Sequence, residues 1–130
     1  MNNRFGFVKV AAATPLVKIA DCHANAEAID RLTAEAVERG ASVVVFPELS
    51  LTGYTCGDLF LQSRIIEAGD EALALLLSTP RDIVSIIGMP IYYKNNLYNC
   101  AVVIAKGKIC GIVPKSYIPN YSEFYESRWF

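Results

Sequence analysis

The sequence has a single histidine, and its four cysteines do not occur in pairs that could hold a metal ion. Cys22, Cys56, Cys100 and Cys110 are widely spaced, with no Cys-x-x-Cys pair and no cysteine–histidine cluster. This spacing argues against a zinc site and against a disulfide framework, and it favours reduced, mostly buried thiols. We also predict no Ser-His-Asp set around His23, the one histidine. We therefore predict that no metal ion binds here.

Net charge and long apolar runs are also lacking. Twelve lysines and arginines against thirteen aspartates and glutamates give a formal charge of −1, which offers no electrostatic basis for binding nucleic acid or an anionic membrane. No apolar run approaches the ~20 residues that span a bilayer. The apolar part of MNNRFGFVKV is too short for a secretory signal. These absences favour a soluble, cytoplasmic protein.

What is present is an alternation of strand and helix patterns without a linker, a repeat or a low-complexity segment. The predicted strands cover residues 5–13, 43–46, 83–89, 98–105 and 108–113, the predicted helices cover 22–39 (capped by Asp21) and 65–77, and a loop is predicted at 53–57. Asn95-Asn96 and Lys106-Gly107 mark the turns between the last three strands. The length suits one domain, and the β-α-β-α-β-β-β order predicts an α/β fold with a mixed sheet.

Glu48 is the first residue with a chemical argument. The pattern predicts a strand over 43–46 that is buried on both faces, and Pro47 cannot continue its ladder of hydrogen bonds. Glu48 therefore emerges at the carboxyl end of a strand, the edge where open α/β sheets usually build their sites. The five residues before it carry no charge, an unusual setting for a glutamate. A purely structural role, as a cap of a neighbouring helix or loop, stays open at this point.

Lys115 is the second such residue, because it follows an apolar strand and a proline in the same way. Val113-Pro114-Lys115 repeats the arrangement Phe46-Pro47-Glu48, so two strands each deliver one charge to one edge of the sheet. A lysine there could donate to the oxyanion of a tetrahedral intermediate, a contribution of about 3–4 kcal/mol to the barrier. Its charge would also keep the glutamate ionised. The alternative is an exposed lysine on the loop after an edge hairpin.

Residues 40–55, GASVVVFPELSLTGYT, resemble the signature of the nitrilase (carbon–nitrogen hydrolase) superfamily. The positions that carry the resemblance are Gly40, Phe46, Glu48, Leu51, Gly53 and Tyr54, whereas Thr55 stands where the family often has proline. The resemblance implies an αββα sandwich, of which this chain supplies about the first half. It also implies hydrolysis of amides or nitriles by a Glu, Lys and Cys set, with Glu48 as general base and Lys115 stabilising the oxyanion.

The segment SYIPNYSEFYESRWF after Lys115 is unusually aromatic and carries a second candidate carboxylate. The resemblance implies that Glu123, eight residues after Lys115, orients the lysine. It also implies that Tyr54 and Tyr121 line the substrate pocket, as in the glutaminase branch of the family. The residues assigned instead to structural or interface roles are Tyr125, Glu126 and Arg128. On composition alone, the segment could equally be a strap that covers the core.

Two stretches narrow the resemblance to one branch of the superfamily. GYTCGDLFL and PNYSEFYESRWF resemble the glutaminase domain of the glutamine-dependent NAD⁺ synthetases. In that family the domain hydrolyses glutamine, and the ammonia passes through a tunnel to a synthetase domain that uses ATP and Mg²⁺ to amidate nicotinic acid adenine dinucleotide. The resemblance thus implies glutamine as substrate, no cofactor for the amide hydrolysis itself, and a homo-oligomeric parent enzyme. ATP and Mg²⁺ would bind outside this chain, which lacks a Gly-rich phosphate loop.

No cysteine of this chain stands where the resemblance requires a nucleophile. In the family the cysteine comes well after the lysine, and only fifteen residues follow Lys115 here. Cys56 lies near Glu48 in sequence but not at the family position. We therefore predict the N-terminal part of one nitrilase-like domain, inactive by itself. Two alternatives stay open: part of another nitrilase-type enzyme, such as a small-amide or N-carbamoyl amine hydrolase, or a catalytically silent α/β interaction module.

Overall fold

The computed structural model describes residues 6–130, and its elements follow the predicted alternation. The strands are β1 (Val10–Ala12), β2 (Val43–Val45), β3 (Val84–Tyr93), β4 (Asn96–Ala105) and β5 (Lys108–Pro114). The helices are α1 (Cys22–Glu38) and α2 (Ser63–Ser78), with short 3₁₀ segments at Tyr54–Leu61 and Glu126–Arg128. None of the helices in the described range combines the length and the apolarity needed to cross a bilayer.

The five strands form one mixed sheet in the order β1-β2-β3-β4-β5. β1, β2 and β3 are parallel, whereas β3 and β4, and then β4 and β5, pair antiparallel as hairpins. The predicted α/β fold with a mixed sheet is therefore confirmed. Because two reversals separate β3 from β5, β5 runs in the same direction as β2. Their carboxyl ends, Val45 and Pro114, lie at the same edge of the sheet.

The core forms where α1 and α2 cover one face of the sheet. Ile29 of α1, Leu76 of α2 and Ile87 of β3 are buried in it. Because side chains alternate along a strand, the neighbours of core residues point to the other face, where Val45 and Val113 are 41% and 59% exposed. The prediction that β2 is buried on both faces is therefore wrong, since within the described range the helices pack on one face only.

Three local differences from the predicted elements have simple causes. β3 continues past its predicted end and includes Pro90. Proline is tolerated there because β2 pairs only with Val84–Ile86, so that at Pro90 β4 is the one strand partner among residues 6–130. The predicted loop at 53–57 is instead the start of the Tyr54–Leu61 segment, which is kinked at Gly57 (φ 57°). β1 is shorter than predicted, and residue 5 of that prediction lies outside the described residues.

Candidate active site

The turn after β2 carries Glu48 across the neighbouring strand β3. The N–H of Leu51 donates to the carbonyl of Gly88 on β3 (3.0 Å), and the side chains of Leu49 and Leu51 are fully buried. Gly88 permits this approach because it has no side chain: a Cβ there would lie 2.3 Å from the backbone nitrogen of Leu49. The Glu48 side chain itself is 41% exposed, more open than its apolar context in the sequence predicts.

Lys115 follows β5 and contacts Glu48. Its backbone N–H donates to the carbonyl of Asn99 on β4 (2.7 Å), and its Nζ donates to Oε1 of Glu48 (2.8 Å). The side-chain amide of Asn99 donates to the same oxygen (2.5 Å). Sequence patterns did not single out Asn99, although an amide directly before the apolar run 100–105 is the signal that could have identified it.

The second carboxylate at Lys115 belongs to Glu126. Nζ of Lys115 lies 3.1 Å from Oε2 of Glu126, a residue that is buried. Glu123 is exposed, and within residues 6–130 no hydrogen bond or ion pair joins it to the lysine. The chain folds back between Tyr121 and Phe124, whose N–H donates to the Tyr121 carbonyl (2.9 Å), so Glu123 lies on an exposed turn. The structure thus corrects the predictions for both glutamates: Glu126 lies against the lysine.

The two tyrosines predicted to line a pocket lie in different settings. Tyr54 donates its hydroxyl to Oε1 of Glu126 (2.6 Å), so it belongs to the same cluster as Lys115. This hydrogen bond, followed by burial, raises the pKa of Tyr54 above its usual range. Tyr121 is exposed, and its ring packs edge-on against Phe124 with centroids 5.7 Å apart. That either tyrosine contacts a substrate stays a prediction.

Lys115 stays charged although it is partly buried. Burial lowers the pKa of the ammonium, but hydrogen bonds and charges from Glu48 and Glu126 outweigh this effect, so the net pKa is raised. Oε1 of Glu48 accepts from both Lys115 and Asn99, whereas Oε2 accepts no hydrogen bond from the described residues. The site therefore presents a free carboxylate oxygen beside a fixed positive charge, which suits proton transfer next to a developing negative charge.

An ion pair connects the 3₁₀ segment Glu126–Arg128 with the 3₁₀ segment Tyr54–Leu61. Arg128 binds Asp58 through two nitrogens (2.6 and 2.9 Å), and Nε1 of Trp129 donates to the same carboxylate (3.1 Å). The first segment begins with Tyr54 and the second with Glu126. The pair between the two segments therefore helps to set the position of the Glu126 carboxylate.

Acid should weaken this ion pair in a defined pH range. Hydrogen bonds from Arg128 and then Trp129 lower the pKa of Asp58 to about 2, against roughly 4 in an unfolded chain. A depressed pKa stabilises the fold above the unfolded value, and this contribution is lost as the pH falls from about 4 through about 2. The difference in unfolding free energy between wild type and Asp58→Asn, measured in urea, should shrink over that range. A difference that stays constant from about pH 5 to about pH 2 would contradict the assignment.

Three of the four cysteines are buried. The Cys56 thiol donates to two backbone carbonyls (3.2 and 3.3 Å), and burial raises its pKa. Burial also raises the pKa of Cys100 and that of Cys22, the latter to about 11. These three thiols therefore stay protonated at neutral pH, in the form that is a poor nucleophile.

Curated proteins are similar to this chain over most of its length. The glutamine-dependent NAD(+) synthetase of Mycobacterium tuberculosis is 42% identical over 125 residues, which are 95% of this chain and 18% of that protein. The synthetase of Aquifex aeolicus is 37% identical over 114 residues, which are 86% of this chain and 20% of that protein. The chain thus spans about a fifth of the length of these curated relatives.

Solved structures are similar to this chain in fold. A glutamine-dependent NAD(+) synthetase from Cytophaga hutchinsonii matches with a TM-score of 0.89 at 28% identity, over 95% of this chain and 21% of that one. An amidase from Nesterenkonia sp. AN1, with the acetamide moiety of fluoroacetamide added covalently at its active-site cysteine, matches in fold with a TM-score of 0.78 at 20% identity, over 95% of this chain and 47% of that one. The carbon-nitrogen hydrolase model matches residues 9–130. This chain belongs to the carbon-nitrogen hydrolase family.

Proposed function

We propose that this chain is the N-terminal part of a glutaminase domain, which hydrolyses the side-chain amide of glutamine within a glutamine-dependent NAD⁺ synthetase. The observation that carries the proposal is the contact between Nζ of Lys115 and Oε1 of Glu48 (2.8 Å). The choice of branch is supported by the mycobacterial synthetase, which is 42% identical over 95% of the chain. The ammonia would serve the amidation of nicotinic acid adenine dinucleotide.

Glu48 and Lys115 each have a place in amide hydrolysis. Glu48 takes the proton of an attacking thiol, and the sulfur adds to the amide carbonyl. Lys115 donates to the carbonyl oxygen as it becomes negative. The proton on Glu48 then goes to the departing nitrogen, and ammonia leaves. Water hydrolyses the resulting thioester with Glu48 again as base, which gives glutamate. Tyr54 and Tyr121 would line the pocket for the glutamine side chain.

The attacking thiol comes, in this proposal, from residues outside these 130. The Nesterenkonia amidase carries its covalent adduct on an active-site cysteine, whereas the buried thiols of this chain stay protonated. ATP and Mg²⁺ are also assigned to residues elsewhere, because this sequence has no phosphate-binding loop, and no step above uses them. The proposal includes a cytoplasmic, homo-oligomeric enzyme, and the four free thiols of the chain are consistent with that location.

Ammonia release from a panel of amides tests the proposal. The protein as its gene encodes it should have a kcat/KM for glutamine at least about tenfold above those for asparagine, butyramide and an N-carbamoyl amine. Glu48→Gln should lose about 10³-fold of this activity, whereas Lys106→Met, at an exposed hairpin position, should keep it. The 130-residue chain alone should release no ammonia. A preference for butyramide or for the N-carbamoyl amine would favour another hydrolase, and inactivity of the encoded protein would favour a silent module.

A further inference from the structure

Asn99 contacts Glu48 but has no part in the mechanism above. It lies on β4 opposite Pro90 of β3 and is 4% exposed. Side-chain alternation along β4 places it on the face of the sheet away from the helices, because Val102 points into the core. A buried amide needs hydrogen-bond partners, and the Nδ2 of Asn99 finds its partner in the Glu48 carboxylate.

Asn99 binds both members of the Lys115–Glu48 pair. Its carbonyl accepts the backbone N–H of Lys115 (2.7 Å), which determines where the lysine side chain begins. Its Nδ2 donates to Oε1 of Glu48 (2.5 Å), the same atom that Nζ of Lys115 reaches (2.8 Å). One residue of β4 therefore connects the strand end after β5 with the turn after β2.

We propose that Asn99 is a positioning residue that makes Oε2 of Glu48 the oxygen that gains and loses the proton. Asn99 and Lys115 both donate to Oε1, and Oε2 accepts no hydrogen bond from the described residues. Two donors on one oxygen hold the carboxylate against rotation about its terminal bond, so Oε2 keeps a constant direction. Glu48 needs this restraint because its side chain is 41% exposed, so neighbouring atoms surround it only in part. The inference rests on the function proposed above.

Two near-isosteric variants, Asn99→Leu and Asn99→Asp, remove the donor. For glutamine hydrolysis by the encoded protein, we expect kcat to fall about 10–100-fold and KM to stay within about twofold. The acidic limb of kcat/KM against pH should move to higher pH, because a carboxylate that has lost a donor binds a proton more readily. The movement should be larger for Asn99→Asp, which adds a like charge. The matched control is Asn96→Leu, at the exposed start of the same strand, which should behave as wild type.

Asn99→Leu and Asn96→Leu leave the charged and titratable groups around Glu48 unchanged, and Asn99→Asp adds one carboxylate to them. These groups are Lys115, which contacts Glu48 directly, and Glu126, which contacts Lys115. Tyr54 is the third, since the charge of Glu48 is one of the smaller causes that raise the pKa of Tyr54. A fall in kcat without movement of the acidic limb would mean that Asn99 only supports packing, and this would overturn the inference. Kinetics equal to those of the Asn96→Leu control would overturn it as well.

A second measurement separates this inference from the proposed function. If the wild-type protein hydrolyses none of the amides, the proposed function fails, and carboxylate ¹³C NMR then decides the role of Asn99. The signal of Glu48, identified by its absence in Glu48→Gln, should change its chemical shift in Asn99→Leu, which removes a donor from the carboxylate, and should keep its wild-type position in Asn96→Leu. A signal that stays at its wild-type position in Asn99→Leu would show that Asn99 does not act on the carboxylate.

Discussion

Replacing Glu126 with leucine is expected to cost about 2–3 kcal/mol of unfolding free energy, whereas replacing Glu123 with leucine should change it by less than about 0.5 kcal/mol. Glu126 is 3% exposed and accepts hydrogen bonds from Lys115 (3.1 Å) and Tyr54 (2.6 Å). Leucine leaves both donors without this acceptor. Breaking a fully buried pair costs roughly 3–5 kcal/mol, and the 29% exposure of the lysine lets water replace part of the loss.

The same variants separate the roles of the two carboxylates in activity. Without Glu126, the Lys115 ammonium is held by Glu48 alone, and a displacement of about 1 Å costs about 10²-fold in rate. Glutamine hydrolysis should therefore fall about 10²-fold in Glu126→Leu and stay near wild type in Glu123→Leu. Glu126→Gln keeps an acceptor for Tyr54 but loses the negative charge. Its rate of glutamine hydrolysis should therefore lie between those of Glu126→Leu and Glu123→Leu. Urea unfolding and ammonia release measure both effects, and a Glu123 variant as impaired as the Glu126 variant would return the orienting role to Glu123.

The placement of Glu48 and Lys115 at one edge of the sheet was predictable, because strand direction follows from the order of the elements. Each hairpin reverses the chain, so β5, two hairpins beyond β3, runs parallel to β2 and ends at the same edge. The distance was not predictable, since β2 and β5 are three strand spacings apart, about 14 Å. The contact between Glu48 and Lys115 forms because the turn after β2 folds over Gly88. It also requires that the backbone N–H of Lys115 donates a hydrogen bond to the carbonyl of Asn99.

The choice between Glu123 and Glu126 lay beyond any sequence pattern. The segment after β5 is irregular, so no period assigns its side chains to one face. Individual contacts determine its path, such as the N–H of Glu126 donating to the Pro119 carbonyl (3.1 Å) and the Arg128–Asp58 ion pair. The ion pair joins residues that are 70 positions apart, and nothing local in the sequence encodes it. Spacing from the lysine therefore indicated a carboxylate in this segment but selected the wrong one.

An alanine at Gly88 should displace the turn that carries Glu48. Its Cβ would lie 2.3 Å from the backbone nitrogen of Leu49 and 2.6 Å from the carbonyl oxygen of Pro47, and these backbone atoms cannot move aside as a flexible side chain can. Overpacking costs about 1–3 kcal/mol, and a broken hydrogen bond from Leu51 to Gly88 would add about 1 kcal/mol. We expect the unfolding free energy to fall by about 2–4 kcal/mol and glutamine hydrolysis to fall by about 10²-fold.

The matched control is Gly111→Ala on β5. A Cβ at Gly111 would meet no atom of residues 6–130 within 4 Å, and the φ of Gly111 lies outside the left-handed region. Alanine there reduces the entropy of the unfolded chain and should stabilise the protein by up to about 1 kcal/mol. Equal stabilities of the two variants in urea would contradict the close approach of the turn to β3. Replacing glycine with alanine should thus destabilise the protein at Gly88 and stabilise it at Gly111. The difference arises because the backbone segment that carries Glu48 lies against β3 at Gly88, whereas no such segment of the described residues lies against β5 at Gly111.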